Sequence, residues 1–326
     1  MNGSLVSASH RECSATSGPR AFVAGWPIAH SRSPLIHRHW LAEFGIAGDY
    51  VPQAVEMQAL DDFLGTLQEA GFVGGNITVP LKQAAFATLH HCEPEGVAVG
   101  AVNTVWLEDG QLNGTNTDLY GFMQHLKLAA PQWDARDGTA VVLGAGGAAR
   151  GVIYALLNAG VPRVVVVNRT RARADSVCAY FGNGNGNGHA GQGIVISADW
   201  GEAERLLQDA VLLVNTTSLG MQGSDPLNLN ISGMRPGGTV YDIVYVPLET
   251  PLLAAARAQG LATVDGLGML LHQAVPGFER WFGVRPTVTP ELRQLIIDDL
   301  TKAAPAQSAS PHTTAPLRSA ERAGQC

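Results

Sequence analysis

Glycines at positions 144, 146 and 147 have the spacing of a loop that binds a phosphate-bearing cofactor. The segment Gly144-Ala145-Gly146-Gly147-Ala148-Ala149 matches the pattern G-x-G-x-x-A. Glycine lets the backbone turn tightly and approach a pyrophosphate, which the free N–H groups of the following helix then stabilise. A plain structural turn is the alternative. Because the loop follows an apolar strand and opens a helix in a βαβ unit, we predict that it binds a dinucleotide.

The end of the next strand indicates which dinucleotide this is. Asn168 is followed by Arg169, Arg171 and Arg173, with no carboxylate among them. An NAD site would place Asp or Glu here for the ribose 2′-hydroxyl, whereas a guanidinium suits the 2′-phosphate of NADP. A solvated basic helix start is the alternative, although a helix N-terminus disfavours cations. We predict NADP(H), with Arg169 beside the phosphate and Arg173 on the same helix face.

A second group of polar residues follows short apolar segments before residue 120. Singly, each has a structural explanation: Ser33 and Thr78 as N-caps, Lys82 as a solvated lysine, and Asp118 as the cap of a helix that begins at Leu119. Together, beside a predicted NADP fold, they indicate a substrate site with a proton donor or acceptor for the oxygen that gains or loses hydride. The group comprises Ser31, Ser33, Asn76, Thr78, Lys82, Asn103 and residues 116–118.

The elements that position these residues alternate between strand and helix patterns, which predicts an α/β protein with mainly parallel sheets. In the first half we predict strands over 22–24, 50–55 and 76–79, helices over 33–44, 58–70 and from 80, and a hairpin of 103–108 with 111–117 around Asp109-Gly110. In the second half we predict strands over 139–143, 163–167, 194–197, 211–214, 239–243 and 262–264, and helices over 267–282 and 291–302.

This pattern divides the chain into an N-terminal α/β substrate-binding domain (21–121) and a Rossmann-type NADP-binding domain (122–266). The helices of 267–302 are expected to pack back on the first domain. Residues 1–20 and 303–326 are predicted to be disordered tails, and the Gly/Asn-rich segment 182–193 a flexible surface loop.

The composition limits the class of protein and its partners. Hydrophobic residues make up 46% of the 326 residues and charged residues 15%, which excludes a wholly disordered protein. The net charge of −7 offers no basic face for nucleic acid or an anionic membrane. No uncharged apolar run reaches the ~18 residues of a membrane span, and the widely spaced cysteines suggest neither disulfides nor a metal site. We expect a cytoplasmic enzyme with a small-molecule substrate.

Several segments, taken in order, resemble the blocks of one enzyme family. They are GWPIAHSRSPLIH (25–37), GGNITVPLK (74–82), GAVNTVW (100–106), NGTNTD (113–118), GAGGAAR (144–150), NRT (168–170), NTTSLGM (215–221) and DGLGMLLHQA (265–274). Over about residues 21–302 the chain is similar to the shikimate dehydrogenase family. The SRSP, NITVPLK and NTD blocks are the most specific, because generic Rossmann enzymes do not carry them.

The resemblance implies reversible, NADPH-dependent reduction of 3-dehydroshikimate to shikimate, on the route to chorismate and the aromatic amino acids. It makes Lys82 and Asp118 the catalytic pair, with the lysine as acid and base. It assigns the substrate carboxylate to Ser31 and Ser33 with help from Tyr245, the pocket lining to Asn76 and Thr78, and the ring hydroxyls to Asn103 and Gln273. It assigns NADP to Gly144, Ala145, Gly146, Gly147, Ala148, Asn168, Arg169, Thr170, Arg173, Ile243 and Gly266. Hydroxyls can hold such a carboxylate without a dedicated arginine.

Two alternatives stay open. A dual quinate/shikimate dehydrogenase would share this fold, but many quinate-type relatives prefer NAD, and the serines at 31 and 33 look like the shikimate type. A catalytically silent relative that binds metabolites as a regulator would be expected to lose Lys82 or Asp118, or to gain a DNA-binding segment. The chain has both residues and no helix-turn-helix pattern in its tails. The sequence does not distinguish a monomer from a homodimer.

Overall fold

The computed structural model describes residues 18–182 and 193–303. The predicted tails (1–20 and 303–326) and the predicted loop (182–193) lie outside the described residues, apart from a few positions at their boundaries. Within the described ranges the strands form two sheets of six strands each. No helix in these ranges is long and apolar enough to cross a membrane.

The first sheet contains the strands that precede the predicted substrate residues. Its strands are β1 (Arg20–Gly25), β2 (Asp49–Ala54), β3 (Phe72–Ile77), β4 (His91–Cys92), β5 (Thr104–Glu108) and β6 (Gln111–Thr115). Its helices are α1 (Ser33–Glu43), α2 (Leu60–Gly65), α3 (Lys82–Thr88), α4 (Pro94–Val99) and α5 (Asp118–Ala129). The order is β2-β1-β3-β5-β6-β4, with β2, β1 and β3 parallel and β5 antiparallel to both neighbours.

Several helix predictions in this half need correction. The helix predicted from residue 80 begins at Lys82 with Leu81 as the N-cap, so Thr78 is not an N-cap. Ser33 is not an N-cap: α1 begins at Ser33 with Arg32 as the N-cap, and it is the Ser31 hydroxyl that accepts from the Ser33 N–H, at 3.4 Å. The helix predicted over 58–70 is a short 3₁₀ turn followed by α2, which ends at Gly65. The Thr66 hydroxyl donates to the Asp62 carbonyl at 3.0 Å, and such side-chain bonds compete with the helix ladder.

The predicted hairpin is confirmed, and it aligns two polar segments. Asp109 and Gly110 both have positive φ angles, 50° and 74°, as a two-residue type I′ turn requires. The resulting register sets Thr104 opposite Thr115. Asn103, just before β5, therefore lies beside residues 116–118, which follow β6.

The second sheet is entirely parallel and surrounds the glycine loop. Its strands are β7 (Thr139–Leu143), β8 (Arg163–Val167), β9 (Ile194–Ala198), β10 (Ala210–Asn215), β11 (Thr239–Asp242) and β12 (Ala262–Val264). Its helices are α6 (Gly147–Asn158), α7 (Arg171–Gly182), α8 (Ala203–Leu206) and α9 (Pro251–Ala258). The order β12-β11-β10-β7-β8-β9 is that of a doubly wound fold, which binds ligands where the order reverses, between β7 and β10.

The last two helices return to the first sheet, as predicted. α10 (Gly266–Phe282) and α11 (Pro290–Ala303) bury residues such as Leu271, Phe278 and Leu292 in one cluster with Ala21 and Trp40. This arrangement confirms the α/β class, with a Rossmann-type unit and C-terminal helices that pack on the first unit.

Glycines allow α5 and α10 to approach closely. A Cβ atom added at Gly121 would lie 2.6 Å from the Met269 carbonyl oxygen and 2.8 Å from the Gln273 backbone nitrogen. A Cβ atom at Gly268 would overlap the His125 ring. The position of α10 on α5 therefore depends on the absence of side chains at these sites.

A buried histidine lies behind the first sheet. His37 of α1 stacks on Tyr50 with ring centroids 4.0 Å apart, and neither ring nitrogen has a hydrogen-bond partner among the described residues. Burial lowers the pKa of His37 to about 3.

We predict that Gly121→Ala destabilises the protein by about 1–3 kcal/mol, because the new methyl group has no space against the backbone of α10. Gly65→Ala is the matched control, since nothing lies within 4 Å of its added Cβ and alanine favours a helix by about 0.5–1 kcal/mol. Urea unfolding measures both. Equal stabilisation of the two variants would contradict the close packing.

We also predict that His37→Phe flattens the dependence of stability on pH. Between about pH 3 and 6.5 the unfolded chain binds a proton at His37 that the native state does not, so the free energy of unfolding falls as the pH falls. One proton corresponds to about 1.4 kcal/mol per pH unit at most. Urea unfolding at about pH 5 and 7 measures the slope, with His39→Phe on the same helix as control. An unchanged slope in His37→Phe would show that His37 does not titrate differently in the two states.

Candidate active site

Lys82 and Asp118 form a partly exposed ion pair. Lys82 is the first residue of α3 and Asp118 the first of α5, and the lysine Nζ donates to the Asp118 Oδ2 at 2.6 Å. Their side chains remain 28% and 26% exposed. Asp118 does not cap a helix at Leu119, because α5 already includes it and Thr117 is the N-cap. The cap predicted for Asp118 is therefore wrong, and Lys82 is paired with Asp118 rather than being only solvated.

The buried Asn103 side chain fixes the Asp118 carboxylate. Its Nδ2 donates to the Asp118 Oδ1 at 2.8 Å and to the Gln273 Oε1 at 3.2 Å. Its Oδ1 accepts from the Thr117 N–H at 2.8 Å and lies 3.1 Å from the Thr104 hydroxyl. Both donors and the acceptor of this amide are thus used, and its orientation is set.

Asn76 connects this network to Tyr50, a residue that the sequence analysis missed. The Asn76 Nδ2 donates to the Asn103 carbonyl at 2.9 Å and to the Thr104 hydroxyl at 3.2 Å, and its Oδ1 accepts from the Tyr50 hydroxyl at 2.6 Å. Burial raises the pKa of Tyr50 well above its usual value, against hydrogen bonds with Ser33 and Asn76 that lower it. Tyr50 stands in an apolar strand, where nothing local distinguishes it from a core tyrosine.

The serine turn forms a second part of the site. Ser33 is buried, and Ser31 bonds to its N–H. Thr78 packs against the adjacent Gly25, where a Cβ would lie 2.5 Å from the threonine methyl carbon. Tyr245, in the loop after β11, packs against the apolar cluster beneath this turn, and burial raises its pKa. No hydrogen bond in the described part of the chain joins Tyr245 to either serine.

The glycine loop provides open space at a helix N-terminus. Gly144 has a φ of +109°, and a Cβ there would lie 2.6 Å from the Thr216 hydroxyl. Gly146 is the N-cap of α6 and Gly147 its first residue, and nothing lies within 4 Å of a Cβ added at either position. The unpaired N–H groups of this turn can therefore approach a pyrophosphate, and the loop fits the predicted dinucleotide.

The arginines after β8 have different environments. Arg171 is bound to Asp175 at 2.9 Å and to Asp199 at 3.1 Å. Arg169 and Arg173 are exposed and have no ion pair among the described residues. The shared helix face predicted for these two is wrong, because α7 begins at Arg171 and Arg169 precedes it. Of the three arginines at 169, 171 and 173, these two have guanidinium groups without an ion pair among the described residues.

The other predicted cofactor residues lie in two turns. The Asn168 Nδ2 donates to the Thr170 carbonyl at 2.9 Å, which closes the turn that carries Arg169. A Cβ at Gly266 would lie 2.1 Å from the Ile243 carbonyl oxygen, so only glycine fits where α10 starts beside β11.

A buried carboxylate that the sequence analysis did not single out orders the ends of β10 and β11. Asp242 accepts from the Asn215 amide at 2.9 Å, the Thr250 hydroxyl at 2.7 Å and the Val244 N–H at 3.0 Å. Burial raises its pKa, and these bonds oppose the rise. These bonds join the end of β10 to the segment that follows β11, which is a structural role for Asp242.

A small cavity joins the two halves of the site. It is lined by Asp118 on one side, by Gly147 and Ala148 on the other, and by Met269 of α10. Asp118 and the first turn of α6 therefore line one cavity. Met269 lies inside the DGLGMLLHQA block, which is the signal that could have identified it.

A larger cavity of about 410 Å³ lies between α5, α6 and α10. Glu95, Lys127 and Arg280 are among its lining residues, and neither Lys82 nor Asp118 is. Volume alone therefore does not locate the chemistry in this molecule.

Three family models match the chain in the order of its domains. They are the shikimate dehydrogenase substrate binding domain (residues 23–105), shikimate / quinate 5-dehydrogenase (127–189) and the shikimate 5′-dehydrogenase C-terminal domain (266–290).

Individual proteins match over most of the chain. Shikimate dehydrogenase (NADP(+)) of Methylocella silvestris is 53% identical over 285 residues, which cover 87% of this chain and 98% of that protein. The enzyme of the same name from Mesorhizobium japonicum is 54% identical over 281 residues, or 86% and 96%. Among solved structures, shikimate 5-dehydrogenase from Thermus thermophilus in complex with NADP(H) and shikimate has a TM-score of 0.73 and 36% identity, and covers 87% of this chain and 99% of that one. Quinate dehydrogenase from Corynebacterium glutamicum in complex with NAD has a TM-score of 0.77 and 31% identity, covering 86% and 99%.

Proposed function

The chain belongs to the shikimate dehydrogenase family, and from that premise we propose which of its residues carry out the reaction. It is an NADP-dependent oxidoreductase that acts on a CH–OH group and interconverts shikimate and 3-dehydroshikimate. When bound, NADPH supplies the hydride for the reductive direction.

The observation that supports the assignment best is the 2.6 Å contact between Lys82 and Asp118. As hydride arrives at the ketone carbon, the Lys82 ammonium donates a proton to the ketone oxygen, and in the oxidative direction the lysine takes it back. Asp118 orients the ammonium and balances its charge, and Asn103 holds Asp118. A silent regulator has no need for this pair beside the glycine loop.

Substrate binding is proposed for Ser31, Ser33 and Tyr245 at the carboxylate, and for Asn76, Thr78, Asn103 and Gln273 around the ring. Both N–H groups of Asn103 are used within the protein. A ring hydroxyl that binds there replaces the bond to Gln273, which at 3.2 Å is the longer of the two. Several short polar groups of this kind suit a polyhydroxylated ring acid.

NADP is proposed to lie along residues 144–148, with Asn168, Arg169, Thr170 and Arg173 at its adenosine end and Ile243 and Gly266 nearer the nicotinamide. The open space over Gly146 and Gly147 supports this placement. The corresponding division of the chain is a catalytic domain over 21–121, a cofactor domain over 122–266 and returning helices over 267–302.

We further propose a cytoplasmic enzyme that acts as a monomer or homodimer. The half-buried Cys92 and Cys178 are free thiols, which is typical of a reducing compartment. One chain also provides all the residues proposed for both ligands, so a monomer suffices for activity.

We predict that Lys82→Ala lowers kcat by about 10²–10⁴-fold and changes the KM for shikimate by less than about tenfold, because a proton donor is lost and the binding groups remain. Formation of NADPH from shikimate and NADP measures this by absorbance. Lys127→Ala, an exposed lysine on α5, is the control and should keep normal turnover. Near-normal turnover in Lys82→Ala would remove the role assigned to that residue.

We predict that Arg169→Gln/Arg173→Gln weakens NADP binding at least tenfold and leaves NAD binding nearly unchanged. A guanidinium–phosphate contact contributes about 1.5–3 kcal/mol, and NAD has no 2′-phosphate. Calorimetric titration of both cofactors measures this. Arg171→Gln is the control, because Asp175 and Asp199 already occupy its guanidinium. Equal loss of both cofactors in the double variant would show that the arginines are structural.

Turnover of quinate with NAD by the parent enzyme would point to the dual-specificity alternative.

A further inference from the structure

Arg32 occupies an unusual place, between the two serines of the turn proposed to hold the substrate carboxylate. Its Nε donates to the Asp299 carboxylate of α11 at 3.0 Å, and its Nη1 donates to the His30 carbonyl at 2.5 Å. The side chain is only 16% exposed. Its Nη2 makes no hydrogen bond within the described ranges of the chain, so both N–H groups of Nη2 and the second N–H of Nη1 remain for a ligand.

The charge of Arg32 reaches the other side of the same subsite. Burial raises the pKa of Tyr245, and the Arg32 charge opposes that rise. Tyr245 lies in the loop after β11, more than two hundred residues along the chain from the serine turn. The guanidinium therefore acts electrostatically on Tyr245, the Arg32 backbone lies between Ser31 and Ser33, and Asp299 is its single ion-pair partner in the described structure.

We propose that Arg32 supplies a positive charge to the substrate carboxylate and that Asp299 is the positioning residue that holds it there. This inference rests on the proposed role of Ser31, Ser33 and Tyr245. It changes the expectation that hydroxyl groups bind the carboxylate without an arginine. The serines provide the directional hydrogen bonds, and Arg32 provides the charge that makes an anion preferable to a neutral ligand.

A purely structural role for Arg32 is the competing explanation, since its pair with Asp299 also ties the serine turn to α11. The two roles predict different effects of removing Arg32 on the binding of a substrate that lacks the negative charge. Loss of a structural tie weakens every substrate alike, whereas loss of a counter-charge weakens only the anion. The methyl ester of shikimate keeps the ring and hydroxyls and removes that charge, so it separates the two.

The test compares Arg32→Gln with the parent enzyme on shikimate and on methyl shikimate, with NADP saturating. We expect kcat/KM for shikimate to fall at least tenfold, mainly through KM, and kcat/KM for the ester to change less than about twofold. Arg32→Lys keeps the charge without the planar guanidinium, so its kcat/KM for shikimate should lie between those of Arg32→Gln and the parent enzyme. Arg38→Gln is the matched control, an exposed arginine of α1 paired with Asp49 at 3.1 Å, and should leave both substrates unaffected.

Asp299→Ala tests the positioning role. Asp299→Ala should raise the KM for shikimate and leave the KM for the ester unchanged. Because Asp299 acts through Arg32, the KM of Arg32→Gln/Asp299→Ala for shikimate should be no higher than that of Arg32→Gln alone. An equal loss on acid and ester, or no loss on shikimate, would overturn the proposal. If Arg32→Gln does not fold, as circular dichroism would show, Arg32→Lys and Asp299→Ala give the same acid-to-ester comparison. A parent enzyme that oxidises neither compound would instead contradict the proposed function.

Discussion

The geometry of the site depends on one buried side-chain amide. Asn103 is 2% exposed, and its hydrogen bonds reach the start of α5, the middle of α10 and Thr104 at the start of β5. A buried amide with an unsatisfied donor or acceptor costs free energy, so only one arrangement of these three segments satisfies all of its bonds. Asn103 thus holds Asp118, and Asp118 in turn holds Lys82.

The two sheets contribute to the chemistry in different ways. The first provides side chains, at the beginnings of helices that follow its strands, and the second provides backbone, as glycines at the start of α6. They meet at the small cavity between Asp118 and Gly147. α10 connects the two units, because Gly266 packs against Ile243 and Gln273 contacts Asn103. One helix therefore links a residue proposed for the cofactor to a residue proposed for the substrate.

The sequence predicted the local elements well, because their signals are local. The Asp109-Gly110 turn, the glycine loop and the apolar parallel strands each encode their structure within a few residues. The errors and omissions arise from contacts between distant segments. The Arg171 pair with Asp199 and the Tyr50 bond to Asn76 depend on strand order, which no local pattern reveals. The Thr66 hydroxyl bonds to the Asp62 carbonyl just after α2, and Ser33 and Asp118, which were expected to be caps, are instead the first residues of their helices.

The apolar cores of the two units are not separate. One continuous cluster contains Val99, Leu119 and Phe122 from the elements of the first unit together with Val142 and Ile153 of the second. Separation of the units would expose this shared surface to water, at a cost proportional to its area. Heat or denaturant should therefore unfold both halves in one cooperative transition, even though each has its own sheet. A cofactor that binds only the second half would then raise the melting temperature of the whole molecule.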